Sequence, residues 1–86
     1  MLIARSKKFV KQYKKLPAHV QKQFIDRLKL YIEDENHSLL NVHSLQGKYK
    51  GLWSFNVSSD IRVIFDSAEE NVTILVAIGS HSELYG

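Results

Sequence analysis

Trp53-Ser54-Phe55-Asn56-Val57-Ser58-Ser59-Asp60-Ile61-Arg62-Val63-Ile64-Phe65 decides the fold. Trp53, Phe55 and Val57 alternate with Ser54 and Asn56. After the polar turn Ser58-Ser59-Asp60, the apolar Ile61, Val63 and Phe65 alternate with Arg62, Ile64 and Asp66. Side chains on a strand point to opposite faces in turn, so a period of two reads as a hairpin with one packed face. Residues 67–71 form a second turn. The run 72–78 is apolar on both faces, as a central strand should be. Three strands in a meander result.

Upstream the period lengthens. Phe9, Val10, Tyr13 and Leu16 recur at helical spacing, with Ser6 placed to cap the first turn. Pro17 ends that helix or opens the next. Val20, Phe24, Ile25, Leu28, Tyr31 and Ile32 give a second stripe, which stops at the polar run Glu33-Asp34-Glu35-Asn36. Residues 2–5 fit a short strand, and residues 37–51 a loop with Gly47 and Gly51 as its turn residues. No repeat or flexible linker interrupts the chain, so residues 1–86 read as a single domain.

The expected fold is α+β. A small antiparallel sheet, made of the N-terminal strand and the three-strand meander, packs on an N-terminal helical hairpin. The helices should cover one sheet face and leave the other open. Alternation then turns Ser54, Asn56 and Arg62 to the open face, with Thr73, Leu75 and Ala77 beside them.

Composition narrows the function. Apolar residues make up 44% of the chain, too many for a disordered tail. There is no cysteine, so disulfides, thiolate metal sites and cysteine nucleophiles are excluded. The longest apolar run is too short to span a bilayer. Arg5, Lys7 and Lys8 follow the first apolar pair, the wrong order for a signal peptide, and a cytoplasmic protein is expected. Charge is lopsided: residues 1–30 hold nine bases against one acid, and residues 31–86 three bases against eight acids. Such a field suits a polyanionic partner, either nucleic acid or an acidic protein segment. His19 and His37 read as surface histidines, and the spacing of His37 and His43 is no zinc pattern. No metal or other cofactor is expected.

Three segments, in order behind a helical hairpin, resemble the RelE/ParE toxin superfamily, and in particular its YafQ-like branch. Val42-His43-Ser44-Leu45-Gln46-Gly47 is similar to the His-x-Leu-x-Gly loop entering the sheet. Asp60-Ile61-Arg62-Val63-Ile64-Phe65 is similar to the middle strand. Ile78-Gly79-Ser80-His81-Ser82-Glu83-Leu84-Tyr85 resembles the branch's Gly-Thr-His-x-x-apolar-aromatic ending. With the helical hairpin before them, the resemblance extends over nearly the whole length of the chain.

The resemblance implies a RelE-like fold and a toxin of a type II toxin–antitoxin pair. Its activity would be that of an mRNA interferase: an endoribonuclease that cuts mRNA on the ribosome by attack of the 2′-hydroxyl on the adjacent phosphate. A cognate antitoxin, mRNA and ribosomal RNA are the implied partners. His81 matches the catalytic histidine, and a neutral-range imidazole suits a general acid. Asp60 matches an acidic residue before the middle strand, able to take a proton or orient a histidine. His43 is a candidate base or phosphate ligand, and Arg62 a candidate fork for the scissile phosphate. Tyr85 matches the terminal aromatic, suited to stacking on a base. Lys7, Lys8, Lys11, Lys14 and Lys15 of the first helix, with Lys48 and Lys50 of the loop, are candidate RNA contacts. The chain departs from the branch at Asn56, where a histidine is frequent, at Ile61, where an aromatic is, and at Ala77, where an arginine is; Arg62 would supply that missing cation. A ParE-like topoisomerase poison shares the fold but generally lacks the Gly-x-His ending. A plain RNA-binding or antitoxin-type module would not need His43, Asp60, Arg62 and His81 together.

Overall fold

Ser6 separates the first strand from the first helix in the computed structural model, which describes residues 1–86. Its hydroxyl accepts from the Phe9 amide at 3.0 Å, capping α1 (Lys7–Lys14) directly after β1 (Leu2–Arg5). Pro17 then opens α2 (Ala18–Glu33). Beyond it come β2 (His43–Ser44), β3 (Trp53–Asn56), β4 (Ile61–Asp66), β5 (Val72–Ser80) and α3 (His81–Tyr85). The five strands form one sheet in the order β1-β5-β4-β3-β2.

The α+β layout of helical hairpin and meander is the one expected, with three refinements. First, the sheet is mixed and not wholly antiparallel as expected: β1 joins β5 in parallel, which the long connection between them allows. Second, the loop at residues 37–51 contributes the two-residue edge strand β2, paired antiparallel to β3. Third, within α2 only Phe24 and Tyr31 are buried, while Ile25 and Ile32, expected in the stripe, are exposed. They sit at the margin of the packed arc.

The main core lies between helices and sheet. Phe9, Phe24, Tyr31, Leu40, Phe55, Val57, Val63, Phe65, Leu75 and Ile78 form one buried cluster. Its aromatic rings pack both stacked and edge-on: Tyr31 lies nearly parallel to Phe55 at 5.5 Å and edge-on to Phe65 at 5.1 Å. Tyr31 and Thr73 share a buried hydroxyl hydrogen bond of 3.1 Å, and burial pushes the Tyr31 phenol above its ordinary pKa.

Strict alternation fails in β5. Ile64 pairs with Ala77 but Phe65 with Leu75, so Val76 is an extra residue in a bulge. The bulge reverses the facing of one half of the strand relative to the other. Thr73 and Leu75 therefore point to the helices, not to the opposite face, and only Ala77 of the expected trio lies there.

Nor is the opposite face open. Leu45, Tyr49, Ile64, Ala77 and Leu84 form a second buried cluster on it, flanked by Leu52 and Val76. Ser54, expected outward in water, is buried on this side. The loop after β2 and the C-terminal helix fold over the sheet and close it. What stays accessible is the margin near the β3–β4 turn and the end of β5.

Candidate active site

Sequence spacing fixes α3. Ser80 and Glu83 form a reciprocal capping box: the Glu83 amide donates to the Ser80 hydroxyl at 3.2 Å, and the Ser80 amide donates to Glu83 Oε1 at 2.8 Å. The donated Ser80 amide, helped by the Ser80 hydroxyl, holds the Glu83 carboxyl below its ordinary pKa. A Cβ at Gly79 would lie 3.2 Å from Glu83 Oε1, so glycine leaves room for this fold-back. The Ser-x-x-Glu spacing is a helix-start signal that sequence reading passed over.

The cap places His81 in the first turn, exposed, with Tyr85 four residues on. Residues at that spacing share a helix face, and the two rings stack with centroids 4.7 Å apart at 26°. Tyr49 stands edge-on to Tyr85, 5.2 Å away at 90°. Sequence reading also missed Tyr49: an isolated aromatic in a polar loop carries no period.

Asp60 and Arg62 come to the same end of the sheet. Ile61 pairs with Ser80, so Asp60 and His81 each lie one residue beyond that pair on neighbouring chain segments. Arg62 lies between Asn56 and Gly79 in the adjacent row. Its Nη1 donates to the carbonyls of Ser58 at 3.0 Å and Ser59 at 3.2 Å. These contacts fix the guanidinium beneath the turn that carries Asp60. They occupy Nη1 and leave the N–H groups of Nε and Nη2 for an anion. Asn56 Oδ1 is buried and lacks a partner, a polar acceptor left over beside Arg62. Ala77 is fully buried in the second core, and no cation can occupy its place.

His43 is exposed on the edge strand β2 and pairs with Ser54, in the cross-strand row of Ser54, Ile64 and Ala77, so it shares the sheet face over which α3 folds. Its Nδ1 donates to the Asn41 carbonyl at 2.8 Å, which leaves Nε2 as the acceptor of the neutral ring. The strand register thus brings Asp60, Arg62 and His81 to one end of the sheet, with Tyr85 stacked on His81, while His43 lies on the edge strand whose following loop holds α3.

Lys48 does not hang free. Its ammonium donates to the Leu84 carbonyl at 3.1 Å and lies 5.2 Å from the Tyr49 ring centre, while Lys50 is exposed. On α1, Lys7, Lys8, Lys11 and Lys14, with the capping Lys15, are all exposed. Ser6 bonds Val76 and Gln12 bonds Ile78, so α1 runs alongside β5 toward His81 and carries its lysines with it. No three His, Asp or Glu side chains converge in a metal-binding arrangement. The cavity of about 380 Å³ between Tyr31, Trp53 and Phe65, rimmed by Glu35, Glu69 and Glu70, contains none of these site residues.

Comparison with known proteins agrees with this fold. The family described as a bacterial toxin of type II toxin–antitoxin systems, YafQ, matches residues 1–86. No curated protein matches the chain by sequence. Among solved structures, YafQ from E. coli strain BL21(DE3) is similar with a TM-score of 0.78 at 22% identity, over 98% of this chain and 97% of that one. The YafQ of an E. coli DinJ–YafQ toxin–antitoxin complex gives 0.75 at 23% identity, over 98% and 96%. A YoeB/ParE toxin from Agrobacterium tumefaciens gives 0.76 at 15% identity, over 94% and 99%. Matched along its whole length and built on the same frame, the chain belongs to the YafQ family of bacterial toxins of type II toxin–antitoxin systems.

Proposed function

We propose that this toxin is a metal-independent endoribonuclease that cuts mRNA on the ribosome. The single observation carrying the reading is the juxtaposition at one sheet end of an exposed imidazole, His81, with a guanidinium and a carboxylate, Arg62 and Asp60. In the proposed reaction a ribose 2′-oxygen attacks the adjacent phosphorus and the bond to the 5′-oxygen breaks. The products are a 2′,3′-cyclic phosphate and a 5′-hydroxyl. His81 donates a proton to the departing 5′-oxygen, and the free edge of Arg62 stabilises charge on the phosphorane-like transition state. Asp60 accepts the 2′-proton or orients His81. His43, with a free Nε2, serves as a base or as a ligand to the phosphate. Tyr85 stacks on a base, and the α1 lysines with Lys48 and Lys50 hold phosphates of mRNA and ribosomal RNA.

The implied partner is a cognate antitoxin, as DinJ is for YafQ in the E. coli complex. The basic face of α1 suits an acidic segment of such a protein. Mapping cut sites in translated mRNA, with and without the product of the adjacent reading frame, tests both halves of the proposal. Ribosome-dependent cleavage that the co-purifying product suppresses is expected. Intact mRNA together with inhibited topoisomerase activity would replace this reading by the ParE-like one.

A further inference from the structure

A helix as short as α3 cannot hold its shape alone, since forming a first turn is unfavourable in water. Its direction, and with it the aim of His81, comes from whatever grips it. The capping box secures the first turn. At the other end the Leu84 carbonyl is one of the acceptors a helix leaves without an internal partner. Two side chains of one loop reach it: the Tyr49 hydroxyl donates at 2.7 Å and the Lys48 ammonium at 3.1 Å. A carbonyl oxygen has two lone pairs, so both donors fit. Gly47, with φ at +64°, starts the turn that delivers them.

The same loop also backs the imidazole. The Tyr49 ring stands edge-on to Tyr85, and Tyr85 lies flat against His81. Leu84 itself is buried with Tyr49 and Leu45, so the tether sits inside the second core. From these contacts we infer that Tyr49 and Lys48 are positioning residues for His81, acting through the Leu84 carbonyl and the Tyr85 ring. Lys48 keeps two further N–H groups, so holding α3 does not exclude an RNA contact. The inference rests on the proposed role of His81 as general acid.

The test uses Tyr49→Phe, which keeps the ring and removes the hydroxyl, Lys48→Met, which keeps the stem and removes the charge, and the double variant. Either donor can hold the carbonyl in part. Each single change should lower kcat several-fold, on the order of one lost hydrogen bond. The double variant should lose about 10²-fold, the scale of a reacting group displaced by about 1 Å. For Tyr49→Phe the KM for RNA should stay the same, because the buried hydroxyl does not reach substrate. A separate reading comes from NMR of the His81 ring, whose resonances should move as the shielding by Tyr85 weakens. That reading needs no catalysis: if the parent protein cut no RNA, the nuclease proposal would fall while the resonances still decided the positioning role. A folded double variant with parental kcat and unmoved His81 resonances would overturn the inference. Should the double variant not fold, Tyr49→Phe decides by the same two readouts.

Discussion

The hydroxyl of Ser6 donates to the carbonyl of Val76 at 2.7 Å while accepting from the Phe9 amide, so one side chain both caps α1 and closes the bulge in β5. The Ser6 amide adds a bond of 2.9 Å to the Leu75 carbonyl. The bulge turns Leu75 into the main core and Ala77 into the second one. Ser6→Ala should therefore destabilise the protein by about 2 kcal/mol, combining a lost cap with a carbonyl left short of a donor. Ser6→Thr, which keeps the hydroxyl, should recover most of that. Urea unfolding of the three proteins checks it, and an unchanged midpoint for Ser6→Ala would dismiss the double role.

Arg62 is held by two turn carbonyls before any RNA arrives. Arg62→Ala should lower RNA cleavage by about 10²-fold through lost charge stabilisation in the transition state. Arg62→Lys should restore only part, since an ammonium lacks the further Nε and Nη2 donors that present a fork to phosphate while Nη1 is held by the turn. Full activity in Arg62→Ala would show that Arg62 does not replace the cation absent at Ala77.

The lowered pKa of Glu83 makes the C-terminal cap sensitive to acid. A carboxyl whose folded pKa lies below its unfolded value stabilises the fold fully above the unfolded value, and that contribution fades as pH falls through the folded one. The ordinary value is 4.5, so fraying of α3 should set in below that pH and not near neutrality. Amide exchange at Ser80 and Glu83 measures it. Glu83→Gln keeps capping-box chemistry without a titrating group, and should show little pH dependence over the same range.

Lys7, Lys8, Lys11, Lys14 and Lys15 are exposed along a helix that flanks β5. Neutralising three of them should weaken binding to the ribosome. The log–log salt slope should flatten by about one unit per lost phosphate contact. Cut positions should stay where they are, because phosphate contacts orient and base contacts choose. A shifted cleavage pattern at unchanged affinity would contradict this.

Periodicity carried the sequence reading as far as the hairpin of helices and the meander. Ser6 and Pro17 marked the helix starts by their own chemistry. The bulge at Val76 was illegible, because a run that is apolar on both faces has no alternation to break. The second core was equally hidden: Leu45, Tyr49 and Leu84 are single apolar residues in polar stretches, and only the folded chain brings them together. Among the site residues, motif order indicated His81, Asp60, Arg62 and Tyr85, which the fold gathers. It also indicated His43, which lies on the edge strand β2, just before the loop that holds α3.

The central claim is that His81 delivers the proton to the leaving 5′-oxygen, and single-turnover cleavage of ribosome-bound mRNA by His81→Ala tests it most directly. His81 is exposed in the first turn of α3 and belongs to neither core cluster, so the variant should fold as the parent does. The rate should fall by about 10²-fold or more, the scale of a lost general acid. Cleavage at the parental rate by a folded His81→Ala protein would remove His81 from the reaction and contradict the account.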